Sequence, residues 1–148
     1  MGTKVTIRGK EFPLCLTVAA LDVLNDKCGG IAGIAEFLRG YPVDTTGMDE
    51  AQAMAANLEA VSRARYNNAW MLGLLIQEGE ENRLIEARFE IDADSKRRKV
   101  PGPEEMIHLL TPGEIDEYQL SVVQAVNESM KRKLETVPEK NVDKAGER

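Results

Sequence analysis

Histidine occurs once in this chain, at position 108, and cysteine twice, at positions 15 and 28. Three such residues cannot fill a four-ligand zinc site of the usual kind. The Cys15–Cys28 spacing does not imply a disulfide, and two reduced, partly buried thiols are expected. His108 lies between Ile107 and Leu109 with no partner identifiable for general-base or metal chemistry, so it is read as a structural side chain. None of Ser62, Ser95, Ser121 and Ser129 sits in a Gly-x-Ser-x-Gly elbow, and one histidine leaves little for a triad. Gly29-Gly30-Ile31-Ala32-Gly33 opens a helical pattern but lacks the lysine and the spacing of a phosphate loop. Glu78, Glu80 and Glu81 cluster without the spacing of a cation site. No catalytic, cofactor-binding or metal-binding residues are expected, and the chain is not read as an enzyme.

An excess of positive charge is missing too. The net charge of -6 opposes a phosphate backbone. The single basic run, Lys96-Arg97-Arg98-Lys99, has acids on both sides and reads as a solvated loop. Long hydrophobic runs are also absent. The longest near-apolar stretch, Ala69 to Ile76, is far too short to span a bilayer, and no apolar signal core opens the sequence. A cytoplasmic location is expected, with no membrane and no nucleic-acid partner.

What is present is the composition of an ordinary folded domain. Hydrophobic residues make up 43% and charged residues 30%, a balance that supports a buried core. The fold class expected is mainly α: an N-terminal β-hairpin packed on a bundle of about five helices, followed by a disordered C-terminal tail. Residues 1–135 form one domain, with the hairpin over 4–16, and residues 136–148 form the tail, which is polar and aperiodic.

The hairpin is predicted from alternation. Val5 and Ile7, then Phe12, Leu14 and Leu16, are apolar, and Gly9-Lys10 stands between the two runs as the turn. Strands over Lys4–Arg8 and Glu11–Leu16 follow, with Pro13 at an edge where its missing N–H costs no ladder bond. Thr17 caps a helix over Val18–Lys27, which Gly29-Gly30 ends. A second helix, Ile31–Arg39, carries Ile31, Ile34 and Leu38 on one face and stops at Gly40 and Pro42.

The longest helix begins after Asp49 in an alanine-rich stretch. Met54, Leu58, Val61, Arg65, Ala69, Leu72 and Ile76 recur at three- and four-residue steps and predict one apolar face, which only Arg65 interrupts. Beyond Asn67 the pattern is apolar nearly all round, which marks a helix end buried in the core or covered by a partner. Trp70, Met71, Leu74 and Leu75 exceed what one packing face requires. They are the candidate partner-binding residues, although core burial is the stronger expectation for any one of them. Gly79 is expected to break or bend this helix, with a separate helix over 80–94. Pro101-Gly102-Pro103 is a linker ahead of a short helix over Glu104–Leu110. Thr111-Pro112-Gly113-Glu114 is a capping box opening a last helix, Pro112 to about Lys133. Its apolar stripe is Ile115, Tyr118, Val122, Val126 and Met130.

An acidic helical protein with apolar faces can bury them internally, self-associate, or accept an amphipathic helix. The run from Val5 to Leu24, a strand, Gly-Lys, strand and leucine-rich helix, resembles the start of tail assembly chaperones of long-tailed bacteriophages. Leu109 to Glu114, followed by Val122 to Asn127-Glu128-Ser129-Met130, is similar to the same family, so the resemblance covers both ends of the chain. It implies a non-enzymatic role in the host cell cytoplasm. The expected partners are the tape measure protein and the tail tube subunit, with self-association as a further possibility. It implies absence from the finished virion. The alternatives are a structural tail component, such as a completion or connector protein, and a small helical DNA-binding regulator built on the turn after Lys27.

Overall fold

A computed structural model of the chain describes residues 2–145, with side chains over 2–131. It consists of β1 (Lys4–Ile7), β2 (Lys10–Pro13), α1 (Val18–Cys28), α2 (Ile31–Leu38), α3 (Glu50–Glu90), α4 (Pro103–Leu109) and α5 (Pro112–Ala145). The mainly α class with an N-terminal hairpin is as expected. The tail expected over 136–148 lies outside the described side chains.

β1 and β2 pair antiparallel, Val5 opposite Phe12 and Ile7 opposite Lys10. The turn falls one residue earlier than Gly9-Lys10. Arg8 and Gly9 occupy it with φ of 50° and 86°, the two positive values that a two-residue hairpin of matching twist requires. Pro13 pairs opposite Lys4, and the ladder closes beyond it with Leu14 N–H donating to Thr3 O at 2.9 Å. Val5 and Ile7 point into the core, and Leu14 and Leu16 follow them.

α3 is a single helix of 41 residues, about 60 Å long. Gly79 does not break it, and residues 80–90 of the separate helix expected over 80–94 are its last turns. The glycine serves a different purpose. A Cβ there would sit 2.0 Å from Pro13 O, so its absence lets the hairpin backbone lie directly on the helix. Cys15 N–H donates to Leu75 O at 3.2 Å beside it. Gly73 does the same one contact further on, where a Cβ would meet Gly102 and Pro103 at 2.5 to 2.6 Å. The two glycines seat the hairpin and the start of α4 against one helix.

α1 is capped by Thr17, whose hydroxyl accepts from Ala20 N–H at 3.1 Å and donates to Glu78 at 2.6 Å. Gly29, left-handed, closes the helix. α2 buries Ile34 and Phe37, whereas Ile31 is exposed, so the inward face is turned from the one expected. Three α3 side chains bond carbonyls at and just beyond the end of α2. Asn67 Nδ2 donates to Phe37 O at 2.8 Å, Asn68 Nδ2 to Leu38 O at 2.9 Å, and Arg63 Nε to Gly40 O at 2.8 Å. The Thr111–Glu114 capping box forms as the sequence indicates, with Thr111 N–H donating to Glu114 at 3.0 Å and Glu114 N–H to Thr111 Oγ1 at 3.3 Å.

Candidate partner-binding surface

The four candidate residues lie inside the fold. Met71 and Leu75 are wholly buried, and Trp70 and Leu74 nearly so. Phe37 meets the Trp70 ring edge-on at 5.9 Å between centroids, and Lys27 Nζ lies 4.6 Å above it. The rest of the chain covers this end of α3 with the hairpin, α1, α2, α4 and α5. The excess of apolar residues there reflects a helix packed on every side.

The other end of α3 has the opposite character. From Glu50 to Tyr66 the side facing the rest of the chain is built from small residues. Ala53, Ala56 and Ala64 are half-buried, and Ala60 is buried. Gly40 packs so closely that a Cβ would stand 2.1 Å from Ala60 O. The large apolar residues face away. Met54 is 61% exposed, Leu58 64% and Val61 46%. At steps of four and three they fall within one narrow arc of the helix surface. Their spacing predicts a buried stripe, and in this half of the helix it is solvent-facing because alanines make the internal contact.

Arg65 ends the stripe and couples it to α5. Its Nε and a terminal nitrogen both bond the Asp116 carboxylate, at 3.0 and 2.9 Å. This ion pair holds the Asp116 carboxyl below its ordinary range and the guanidinium above its own. One and two turns beyond Asp116 on α5 come Leu120, 66% exposed, and Val123, 42% exposed. Two short rows of large apolar side chains on adjoining helices thus meet at one bidentate ion pair. Isolated exposed apolar residues are common, whereas rows at helical spacing are characteristic of surfaces that receive another helix. Ile85, Phe89 and Ile91 form a separate exposed group at the far end of α3.

The basic run is bound into the fold. Arg97 forms a two-point pair with Glu81, its terminal nitrogen at 2.9 Å. Glu80, buried, accepts from Arg98 N–H at 2.6 Å, Arg98 Nε at 2.9 Å and two nitrogens of Arg83 at 2.6 and 2.8 Å. These contacts fasten the 95–98 segment to α3. His108 is exposed on α4. Among the described residues no group of three or more His, Cys, Asp or Glu is placed to hold a metal. No helix there is long and apolar enough to cross a membrane.

No protein-family model, no curated protein and no solved structure matches the chain.

Proposed function

We propose that this chain is a tail assembly chaperone of a long-tailed bacteriophage, acting in the host cytoplasm. It binds the tape measure protein and brings it to the tail tube subunits, and it does not remain in the finished virion. The resemblance of the two chain ends motivates this reading. The observation that carries it is the outward row Met54, Leu58 and Val61 on a helix half that packs inward through alanines. A tape measure protein is a long, apolar, helical chain, and an unaccompanied one is prone to aggregate. An acidic protein offering a helical apolar row can cover such a chain segment by segment and stay soluble. The binding residues proposed on this basis are those of the exposed row, not the buried Trp70, Met71, Leu74 and Leu75.

The test is co-expression with a tape measure protein of a long-tailed bacteriophage. A soluble tape measure protein that co-purifies with this chain supports the reading, and an unchanged insoluble fraction with no co-purification overturns it. Mass spectrometry of purified virions separates the chaperone from a structural tail component, which would be present in them.

A DNA-binding role is less favoured, because Arg97 and Arg98 are committed to Glu81 and Glu80.

A further inference from the structure

Beside the hairpin turn lies a groove of about 330 Å³, lined by Ile7, Phe12, Pro101 and Leu109 and flanked by Lys10 and Lys99. It joins β1, β2, the connection after α3, and the end of α4. Its size is at the small end of ligand sites and suits one or two side chains. Arg8 also borders the groove, but its charge is met by Glu114, with nitrogen–oxygen distances of 2.8 and 3.0 Å. Among the neighbouring basic residues Lys4 pairs with Glu11, Arg97 with Glu81 and Arg98 with Glu80, whereas the Lys96 side chain forms no ion pair with a described residue and is not part of the groove lining. Lys10 and Lys99 have no carboxylate partner among the described residues. In a chain with 25 acidic and 19 basic residues, these two uncompensated ammonium groups line the same groove as the apolar Ile7, Phe12, Pro101 and Leu109.

We infer that this groove docks an acidic peptide segment of a partner protein, one in which a leucine- or phenylalanine-sized side chain is flanked by carboxylates. The apolar side chain would lie on Phe12 and Leu109 and the carboxylates would face Lys10 and Lys99. Charge complementarity selects the occupant. A neutral apolar segment would leave both ammonium groups unused. A polyphosphate would gain nothing from the apolar floor. The site uses none of the α3 residues in the proposed chaperone surface, so either proposal can fail without the other.

The probe is a fluorescein-labelled peptide, acetyl-Glu-Leu-Leu-Glu-amide extended by a Gly-Ser spacer, followed by anisotropy at low and physiological salt. Its Gln-Leu-Leu-Gln counterpart and a short double-stranded oligonucleotide are run beside it. The acidic peptide should bind about tenfold more tightly than the Gln counterpart. The Lys10→Gln/Lys99→Gln double variant should erase that difference, while Lys131→Gln leaves it intact. Both lysines are exposed, so a melting curve matching the wild type is expected and certifies the fold. Equal binding of the two peptides, an unaffected double variant, or tighter binding of the oligonucleotide would each overturn the inference.

Discussion

The Glu80 carboxylate, on α3, holds Arg98 at two points, accepting from the backbone N–H at 2.6 Å and from Nε at 2.9 Å. Arg83 completes the set, and its guanidinium also donates to Lys96 O at 2.9 Å. Burial by itself would push the Glu80 carboxyl up. The hydrogen bonds from Arg83 and Arg98 outweigh it and bring the value from 4.5 down to about 2. A carboxylate depressed in the fold stabilises it above the unfolded value and loses that contribution as pH falls through the folded one. The window is therefore from about pH 4.5 down to about pH 2. We expect Glu80→Gln to cost about 3 kcal/mol at pH 7, because it leaves two guanidinium groups uncompensated. In urea melts, the gap between wild type and variant should shrink by more than half at about pH 3. A gap independent of pH would refute the assignment.

Gly79→Ala tests the seat of the hairpin. At an unconstrained helical position, alanine in place of glycine gains about 1 kcal/mol. Here the new methyl would collide with Pro13 O and its carbonyl carbon, so a net loss of about 1–3 kcal/mol is expected, as for other overpacked sites. Gly73→Ala should behave alike against Gly102 and Pro103. Thermal melts of the two variants decide the point, and a gain in stability at either site would show that the backbone can move aside.

The local devices of the fold were legible in the sequence. Thr17, Asp49, Gly29 and the Thr111–Glu114 box each act within three or four residues, and all form as read. Gly79 was misread for a physical reason. A glycine inside a helical pattern is tolerated when packing uses it, and Pro13, which packs on Gly79, is remote in sequence. The α3 surface was misread similarly. Periodicity finds the row Met54, Leu58 and Val61, but not which side of the helix the rest of the chain will cover. The alanines at 53, 56, 60 and 64 form an equally regular row on another face, about a third of a turn away. Gly40, which carries a positive φ and no side chain, lets the chain close against those small residues. The groove beside Lys10 and Lys99 had no sequence signal, because it is assembled from segments far apart in the chain.

Trp70→Ala is expected to destabilise the protein by about 3–5 kcal/mol, since it empties a buried site and removes the contact with Phe37 and the cation above the ring. Any loss of partner binding should then track the unfolded fraction. Measured at a temperature where the variant is fully folded, binding should match wild type. A folded variant that still fails to bind would return Trp70 to the binding surface.

The exposed row makes the opposite forecast. Met54→Gln, Leu58→Gln and Val61→Gln combined should leave thermal stability within about 1.5 kcal/mol of wild type, about 0.5 kcal/mol for each, because all three side chains are largely exposed to solvent. Glutamine also suits a helix interior at least as well as valine, so the helix itself loses nothing. If these side chains carry the partner's helix, the folded triple variant should no longer keep a co-expressed tape measure protein soluble. The same variant should bind the acidic peptide as wild type does, since none of the three residues lines the groove near Lys10. Stability and partner solubility thus move apart for the row and together for Trp70, and it is that contrast, measured on the same preparations, that distinguishes a docking face from a core. Retention of the tape measure protein by the triple variant would remove the row from the proposed interface.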